Sequence, residues 1–204
     1  TKKVDCGVCH AAQVEQYQIS IHGTLAAQND PDAPGCLDCH SPHATKSKNE
    51  PLSPTFARNV PTLCARCHRV GAQAAVRIHG ETADIVGSYA DSIHGVGLFQ
   101  KGLTVTAVCT SCHTAHSMLP HGDPKSTINA KNVVATCTQC HAQIELVHRK
   151  VIEGHLWESA PNQIPVCVDC HQPHKVRRVF YSAGMANQDC LTCHAKPDLA
   201  VERD

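Results

Sequence analysis

The sequence has few of the residues that build an ordinary hydrophobic core. Aromatic residues occupy only 3% of its 204 positions, and there is a single tryptophan. Leu, Ile, Val and Phe together make up about a fifth of the chain, which is near the lower limit for a self-sufficient core. We therefore expect something other than side chains to fill the interior.

Charge asymmetry and long apolar runs are also missing. Lys+Arg and Asp+Glu both number 18, so the formal net charge is zero and no basic patch indicates a nucleic-acid partner. No stretch approaches the ~18 apolar residues needed to span a bilayer, so no transmembrane segment is expected. No signal peptide is visible, and Thr1 is compatible with a mature chain from which one was removed.

Cysteine and histidine, in contrast, are abundant, with 14 and 16 residues. Every cysteine belongs to a CxxC pair. The pairs are Cys6 and Cys9, Cys36 and Cys39, Cys64 and Cys67, Cys109 and Cys112, Cys137 and Cys140, Cys167 and Cys170, and Cys190 and Cys193. A histidine follows each pair at once. These histidines are His10, His40, His68, His113, His141, His171 and His194.

CxxCH is the attachment signature of c-type haem. Two thiols form thioether bonds to one porphyrin, and the next residue then lies where its imidazole reaches the iron. A zinc ribbon or a disulfide framework would not require a histidine after each pair, and a thioredoxin-like CxxC normally occurs once. The sequence therefore predicts seven covalently attached haems, which fill the interior and make the loaded protein acidic through their propionates.

Seven of the nine other histidines are candidates for the second axial ligand. Three follow a CxxCH motif by three residues, three lie in an Ile-His-Gly tripeptide, and one lies in EGHLW. In that order they are His43, His116, His174, His22, His79, His94 and His155. His148 lies on the same helical face as His155 and competes with it.

Helical spacing supports the Ile-His-Gly candidates. His10, Val14, Tyr17 and Ile21 fall on one face, so the pattern predicts a helix that His22 closes, with Gly23 at the C-terminus. Three further residues are not expected to be ligands: His121 in an exposed turn, and Met118 and Met185 as packing residues.

Internal similarity divides the chain, 1–204, into haem-pair repeats within a single domain. APGCLDCHSPH (33–43) matches IPVCVDCHQPH (164–174), and RNVPTLCARCH (58–68) matches KNVVATCTQCH (131–141). The predicted units are 6–43, 64–116 and 137–174, followed by a half-unit at 190–194. The predicted fold is mainly α with extensive coil: short helices and loops wrapped around closely packed haems, with few or no strands.

The sequence resembles the multihaem c-type cytochromes with doubled CxxCH motifs, among them periplasmic and extracellular electron carriers and cytochrome filaments. The resemblance rests on the seven CxxCH sites, on the CxxCHxPH segments at 36–43 and 167–174, and on YQISIHG and YADSIHG. It implies low-spin bis-histidine haems in alternating stacked and perpendicular pairs, low reduction potentials, and export before haem attachment. It also implies that a histidine near one CxxCH often ligates a neighbouring haem.

These features predict an electron conduit of respiration in the periplasm or at the cell exterior. Two imidazoles per iron leave no open position for a substrate, and the absence of CxxCK argues against the alternative, a nitrite, hydroxylamine or tetrathionate oxidoreductase with one open haem. The expected partners are redox donor and acceptor proteins, such as a membrane quinol-oxidising complex or an extracellular acceptor. A homopolymer joined through end-to-end haem contacts is a further expectation.

The short spacing in CLDCHSPH (36–43) leads to one more expectation. His43 lies too close to Cys39 along the chain to reach around the porphyrin attached there. We therefore expect His43, and the two histidines placed like it, to ligate the iron of a different haem.

Overall fold

The polypeptide forms short helices joined by turns. The computed structural model describes residues 4–41, 44–77, 84–142 and 166–176, with Asp169 and Cys170 described by their backbone alone. A 3-10 turn at Cys6–Val8 precedes α1 (Ala11–Gln18), α2 (Ile21–Ala27), α3 (Cys36–Cys39), α4 (Val60–His68), α5 (Gln73–Arg77), α6 (Ile85–Ala90), α7 (Ile93–Phe99), α8 (Cys109–His113), α9 (Val133–Thr138) and α10 (Cys167–Cys170). These residues contain no strand, which confirms the predicted fold class.

Side chains alone form only a small core. One cluster contains Val60, Tyr89, Leu98 and Val108, where α4 packs against α6 and α8. A second contains Val133, Val134 and Val166, where α9 packs against α10. Each fully buried aliphatic side chain contributes about 1.5–3 kcal/mol, whereas ordering each residue costs about 1–2 kcal/mol in backbone entropy. Such small clusters cannot stabilise the fold by themselves.

The helix before His22 ends earlier than the spacing predicts. The expectation that His22 closes a helix with Gly23 at its C-terminus is wrong. Helix α1 ends at Gln18, and a second helix begins at Ile21 with Ser20 as its N-cap. Because the Ser20 hydroxyl accepts the Gly23 N–H, His22 lies in the first turn of α2.

Close approach of successive helices explains the glycine that follows His22 and the glycine that follows His94. A Cβ atom on Gly23 would overlap the carbonyl oxygen of Tyr17, at the end of α1. Gly95 stands in the same relation to Tyr89, between α6 and α7. Neither glycine adopts a positive φ. Lack of a side chain, and not conformational freedom, is therefore what these positions require.

Two asparagines stabilise the loops that lead into α4 and α9. The Asn59 side-chain amide donates to the carbonyls of Pro51 and Ser53 at 2.9 and 2.8 Å. The Asn132 amide makes the equivalent bonds to Pro124 and Ser126, both at 2.8 Å. The two loops thus repeat one polar arrangement, just ahead of a CxxCH motif in each case.

Replacing Gly95 with alanine tests this helix packing. The added methyl group must displace the Tyr89 carbonyl, so we expect Gly95→Ala to destabilise the protein by about 1–3 kcal/mol. Thermal unfolding of the haem-loaded protein, followed by far-UV circular dichroism, measures the effect. Gly122→Ala is the matched control because a Cβ atom there meets open space. Equal melting temperatures for the two variants would contradict the packing argument.

Candidate haem-binding sites

Each described CxxCH motif adopts one turn of helix. The N–H of His40 donates to the Cys36 carbonyl at 2.9 Å, and the same bond recurs at His10, His141 and His171. Residues one turn apart lie on the same side of a helix. The turn therefore presents both thiols of a motif to one side and projects the histidine from its end. None of the eleven cysteines whose side chains the structure describes forms a disulfide.

Within each predicted unit, the first cysteine of one CxxCH motif lies near the first cysteine of the other CxxCH motif. Each pair joins the two motifs of one predicted unit, and its two thiols lie close enough for one to shift the pKa of the other. The three pairs are Cys6 with Cys36, Cys64 with Cys109, and Cys137 with Cys167. A porphyrin attached at each of these thiols would have its attachment edge next to that of its neighbour.

The second cysteines connect one predicted unit to the next. In addition to burial, the charges of Cys64 and Cys67 help to raise the pKa of Cys39, and those of Cys137 and Cys140 help to raise the pKa of Cys112, so these thiols lie near one another. Burial is the largest cause of the raised pKa of both thiols. The motifs from Cys6 to Cys167 therefore form one continuous series in space, in the same order as in the sequence.

Four histidines that follow a CxxC pair each face a second histidine from a different motif. The distances between ring centres are 6.2, 6.2, 6.1 and 5.8 Å, and the angles between ring planes are 47°, 22°, 42° and 2°. In that order the pairs are His68 with His22, His40 with His116, His141 with His94, and His113 with His174.

This spacing fits an iron between two imidazoles. Two metal–imidazole bonds of about 2 Å, with about 1.1 Å from each nitrogen to its ring centre, place the ring centres about 6 Å apart. Among the described residues, no three His, Cys, Asp or Glu side chains converge as a metal site made only of protein ligands would require. A porphyrin, which supplies the four equatorial nitrogens itself, needs only such a pair.

Burial keeps these imidazoles in the form that binds metals. It is the largest cause of the lowered pKa of His22, His94 and His116, and the facing imidazole lowers each pKa further. For His113, burial together with His174 and His68 lowers the pKa to about 4. These rings are therefore neutral at pH 7, with a nitrogen lone pair available.

The remaining predicted site residues divide into two groups. His10 and His171 are described within their motifs, and His121 lies exposed in a turn as expected. The other predictions fall outside the described residues: His43, His79, His155 and its competitor His148, and the final motif with Cys190, Cys193 and His194. The side chain of Cys170 and the packing of Met185 are outside them too.

Two features of the sites go beyond the expectations drawn from the sequence. The first is the pairing itself, because nothing in a linear pattern shows which motif His22 faces. The second is the role of Ser20 and Ser92, which cap the helices that carry His22 and His94. A serine directly before the Ile-His-Gly tripeptide is an N-cap signal that would have revealed the new helix.

Comparison with known proteins agrees with the motif pattern. Residues 22–73 match the family described as the doubled CXXCH motif. The cytochrome c-type protein NrfB of Escherichia coli O6:H1 is 30% identical over 97 residues, which are 44% of this chain and 52% of NrfB. The chain thus spans about half the length of this curated relative. No solved structure matches the chain significantly.

The motifs and these similarities together define a class of protein. The chain's CxxCH motifs are like those of multihaem c-type cytochromes, and the match to the doubled CXXCH motif covers residues 22–73. The chain is distantly related to NrfB. Within the described residues, no helix is long and apolar enough to cross a membrane.

Proposed function

We propose that the chain transfers electrons through seven covalently attached haems, each held by two histidines. The observation that carries this proposal is the set of four histidine pairs at 5.8–6.2 Å. In each pair one imidazole follows a CxxC pair and the other comes from elsewhere in the chain. Chance packing of single histidines would not repeat this combination at the spacing of an axial ligand pair.

The second ligands are exchanged in both directions between neighbouring units. The unit 6–43 supplies His22 to the iron of His68, and it receives His116 at the iron of His40. The unit 64–116 supplies His94 to the iron of His141. It receives His174 from the unit 137–174 at the iron of His113. In this arrangement an Ile-His-Gly histidine serves the first haem of the next unit, and a CxxCHxxH histidine serves the second haem of the preceding unit.

The residues that hold the irons also determine the kind of chemistry. When bound, each haem supplies one-electron transfer between ferric and ferrous iron. The two imidazoles of each pair would hold the haem iron from its two sides, so no site would remain for a substrate and no ligand would have to move when the charge changes. Histidine ligation without methionine favours low potentials. A reductase or oxidase would need an open position, which none of the four histidine pairs provides.

The contacts between cysteines give the electron a route. Because each thiol marks the edge of a porphyrin, the contacts within units and between units keep consecutive haems close from Cys6 to Cys167. Electrons would hop along this series in chain order. The first and last haems would then be the points of exchange with redox donor and acceptor proteins.

The compartment and the partners follow from the covalent attachment. Haem c is attached outside the cytoplasm, so we place the protein in the periplasm or at the cell exterior. A membrane quinol-oxidising complex or an extracellular acceptor would suit haems of low potential. The end-to-end homopolymer stays a prediction from the sequence.

The ring angles predict two groups of ferric signals in the electron paramagnetic resonance spectrum. Near-parallel rings, as in His113 with His174 at 2°, separate the iron d orbitals more strongly than tilted rings, as in His22 with His68 at 47°. We expect rhombic low-spin signals from the parallel pairs and a larger maximum g value from the tilted pairs. A prominent high-spin ferric signal in the freshly prepared protein would contradict the proposed ligation.

Replacing His116 tests the exchange between units. His116→Ala should free the iron attached at Cys36 and Cys39, not the one attached beside it at Cys109 and Cys112. The ferrous variant is then expected to bind one equivalent of carbon monoxide rapidly, whereas the wild-type protein binds carbon monoxide only slowly because an imidazole must first detach. Titration with carbon monoxide, followed by the Soret band, measures this number.

Two variants that each lack one haem attachment site, used as the starting proteins, identify the affected haem. Where Cys36 and Cys39 are both replaced by alanine, that haem is missing and His116→Ala should add no further carbon monoxide binding. Where Cys109 and Cys112 are replaced instead, His116→Ala should still add one equivalent. Mass spectrometry checks that each background carries one haem fewer than the wild type. The opposite pattern would show that His116 ligates the haem of its own motif.

A further inference from the structure

The sequence Tyr-x-x-Ser-Ile-His-Gly, here called the YxxSIHG motif, occurs at 17–23 and at 89–95 with the same internal bonds. The Ser20 hydroxyl donates to the Tyr17 carbonyl at 2.7 Å and accepts from the Gly23 N–H at 3.0 Å. Ser92 makes the equivalent bonds at 2.6 and 3.0 Å. Both serines are 1% exposed, so water cannot replace these bonds.

The tyrosine of the motif bonds to the chain just ahead of the next CxxCH. The Tyr17 hydroxyl donates to the Pro34 carbonyl at 2.8 Å, two residues before Cys36. The Tyr89 hydroxyl donates to the Ala107 carbonyl at 3.0 Å, two residues before Cys109. Each motif is thereby connected to the second haem site of its own unit.

The isoleucine of the motif bonds to a segment of the following unit. The Ile21 N–H donates to the Met118 carbonyl at 2.8 Å, and Met118 lies two residues after His116. The Ile93 N–H donates to the Val176 carbonyl at 2.7 Å, and Val176 lies two residues after His174. In each motif, one backbone hydrogen bond therefore connects the segments of two histidines that, in the proposed ligation, belong to different irons.

We infer that Ser20 and Ser92 are positioning residues that, through the YxxSIHG motif, hold the histidine ligands of two neighbouring haems in one rigid assembly. The inference rests on the proposed bis-histidine ligation. Removing the hydroxyl of Ser92 takes away the partner of the buried Gly95 N–H and leaves the Tyr89 carbonyl with the backbone N–H of Ser92. It also releases the start of the helix that carries His94 and, through Ile93, the segment that carries His174.

The variant Ser92→Ala tests the inference through the binding of carbon monoxide. A ferrous iron with two imidazoles binds carbon monoxide only while one imidazole is detached. Loss of an N-cap weakens a helix start about five- to tenfold, so we expect the binding rate to rise by this factor at one or two haems. Ser92→Thr keeps the hydroxyl and is expected to restore most of the wild-type rate.

Ser126→Ala is the matched control. Ser126 is 2% exposed, donates to the Leu119 carbonyl at 3.0 Å and accepts from the Ile128 N–H at 3.4 Å. The same change there removes an equally buried hydroxyl outside the YxxSIHG motif. We expect a lower melting temperature but a carbon monoxide binding rate close to that of the wild type.

The outcomes separate the inference from the function on which it rests. Equal rates for Ser92→Ala and Ser126→Ala, or no recovery in Ser92→Thr, would overturn the role of the serine. Rapid carbon monoxide binding by the wild-type protein would overturn the bis-histidine ligation instead. If Ser92→Ala yields no folded protein, Tyr89→Phe keeps the ring and removes only the bond to Ala107. An unchanged rate in that variant would also overturn the inference.

Discussion

The rest of the structure depends on one constraint, the distance between two facing imidazoles. A spacing of 5.8–6.2 Å holds His40 near His116 and His113 near His174, although each pair is far apart in the sequence. Under the proposed ligation an iron fixes that spacing through two bonds. Each iron would then connect segments that the small apolar clusters do not bring together. These connections would stabilise one arrangement of the chain over others.

Polar contacts to the backbone supply much of the remaining order. Ser20 and Ser92, Tyr17 and Tyr89, and Asn59 and Asn132 form the same bonds in successive repeats. Such bonds need little side-chain volume, so they leave room for a large cofactor beside them. A chain that surrounds porphyrins can therefore encode its turns with serine, asparagine and tyrosine where an ordinary domain would use a leucine-rich core.

The sequence is sufficient to predict the features that depend on local spacing. The CxxCH turns, the thin core and the exposed His121 follow from composition and from neighbouring residues. The pairing does not, because His22 lies closest in sequence to the motif of Cys6 yet faces His68. The helix boundary at Ser20 also differs from the one that the spacing predicts. A glycine needed for close helix contact has the same sequence signature as a glycine that ends a helix.

Under the proposed ligation, the reciprocal exchange of histidine ligands would link the stability of the fold to electron conduction. If each unit supplies a histidine to the next and receives one in return, neighbouring units cannot separate without opening two irons at once. The hydrogen bond from the Ile21 N–H to the Met118 carbonyl lies near His22 and His116, the two histidines that these units would exchange. The backbone therefore also helps to hold the two units together. The arrangement that keeps the haems close enough for electron hopping is then the one that holds the fold together. An open catalytic iron would weaken this connection between units, so the proposed exchange would suit a conduit better than an enzyme.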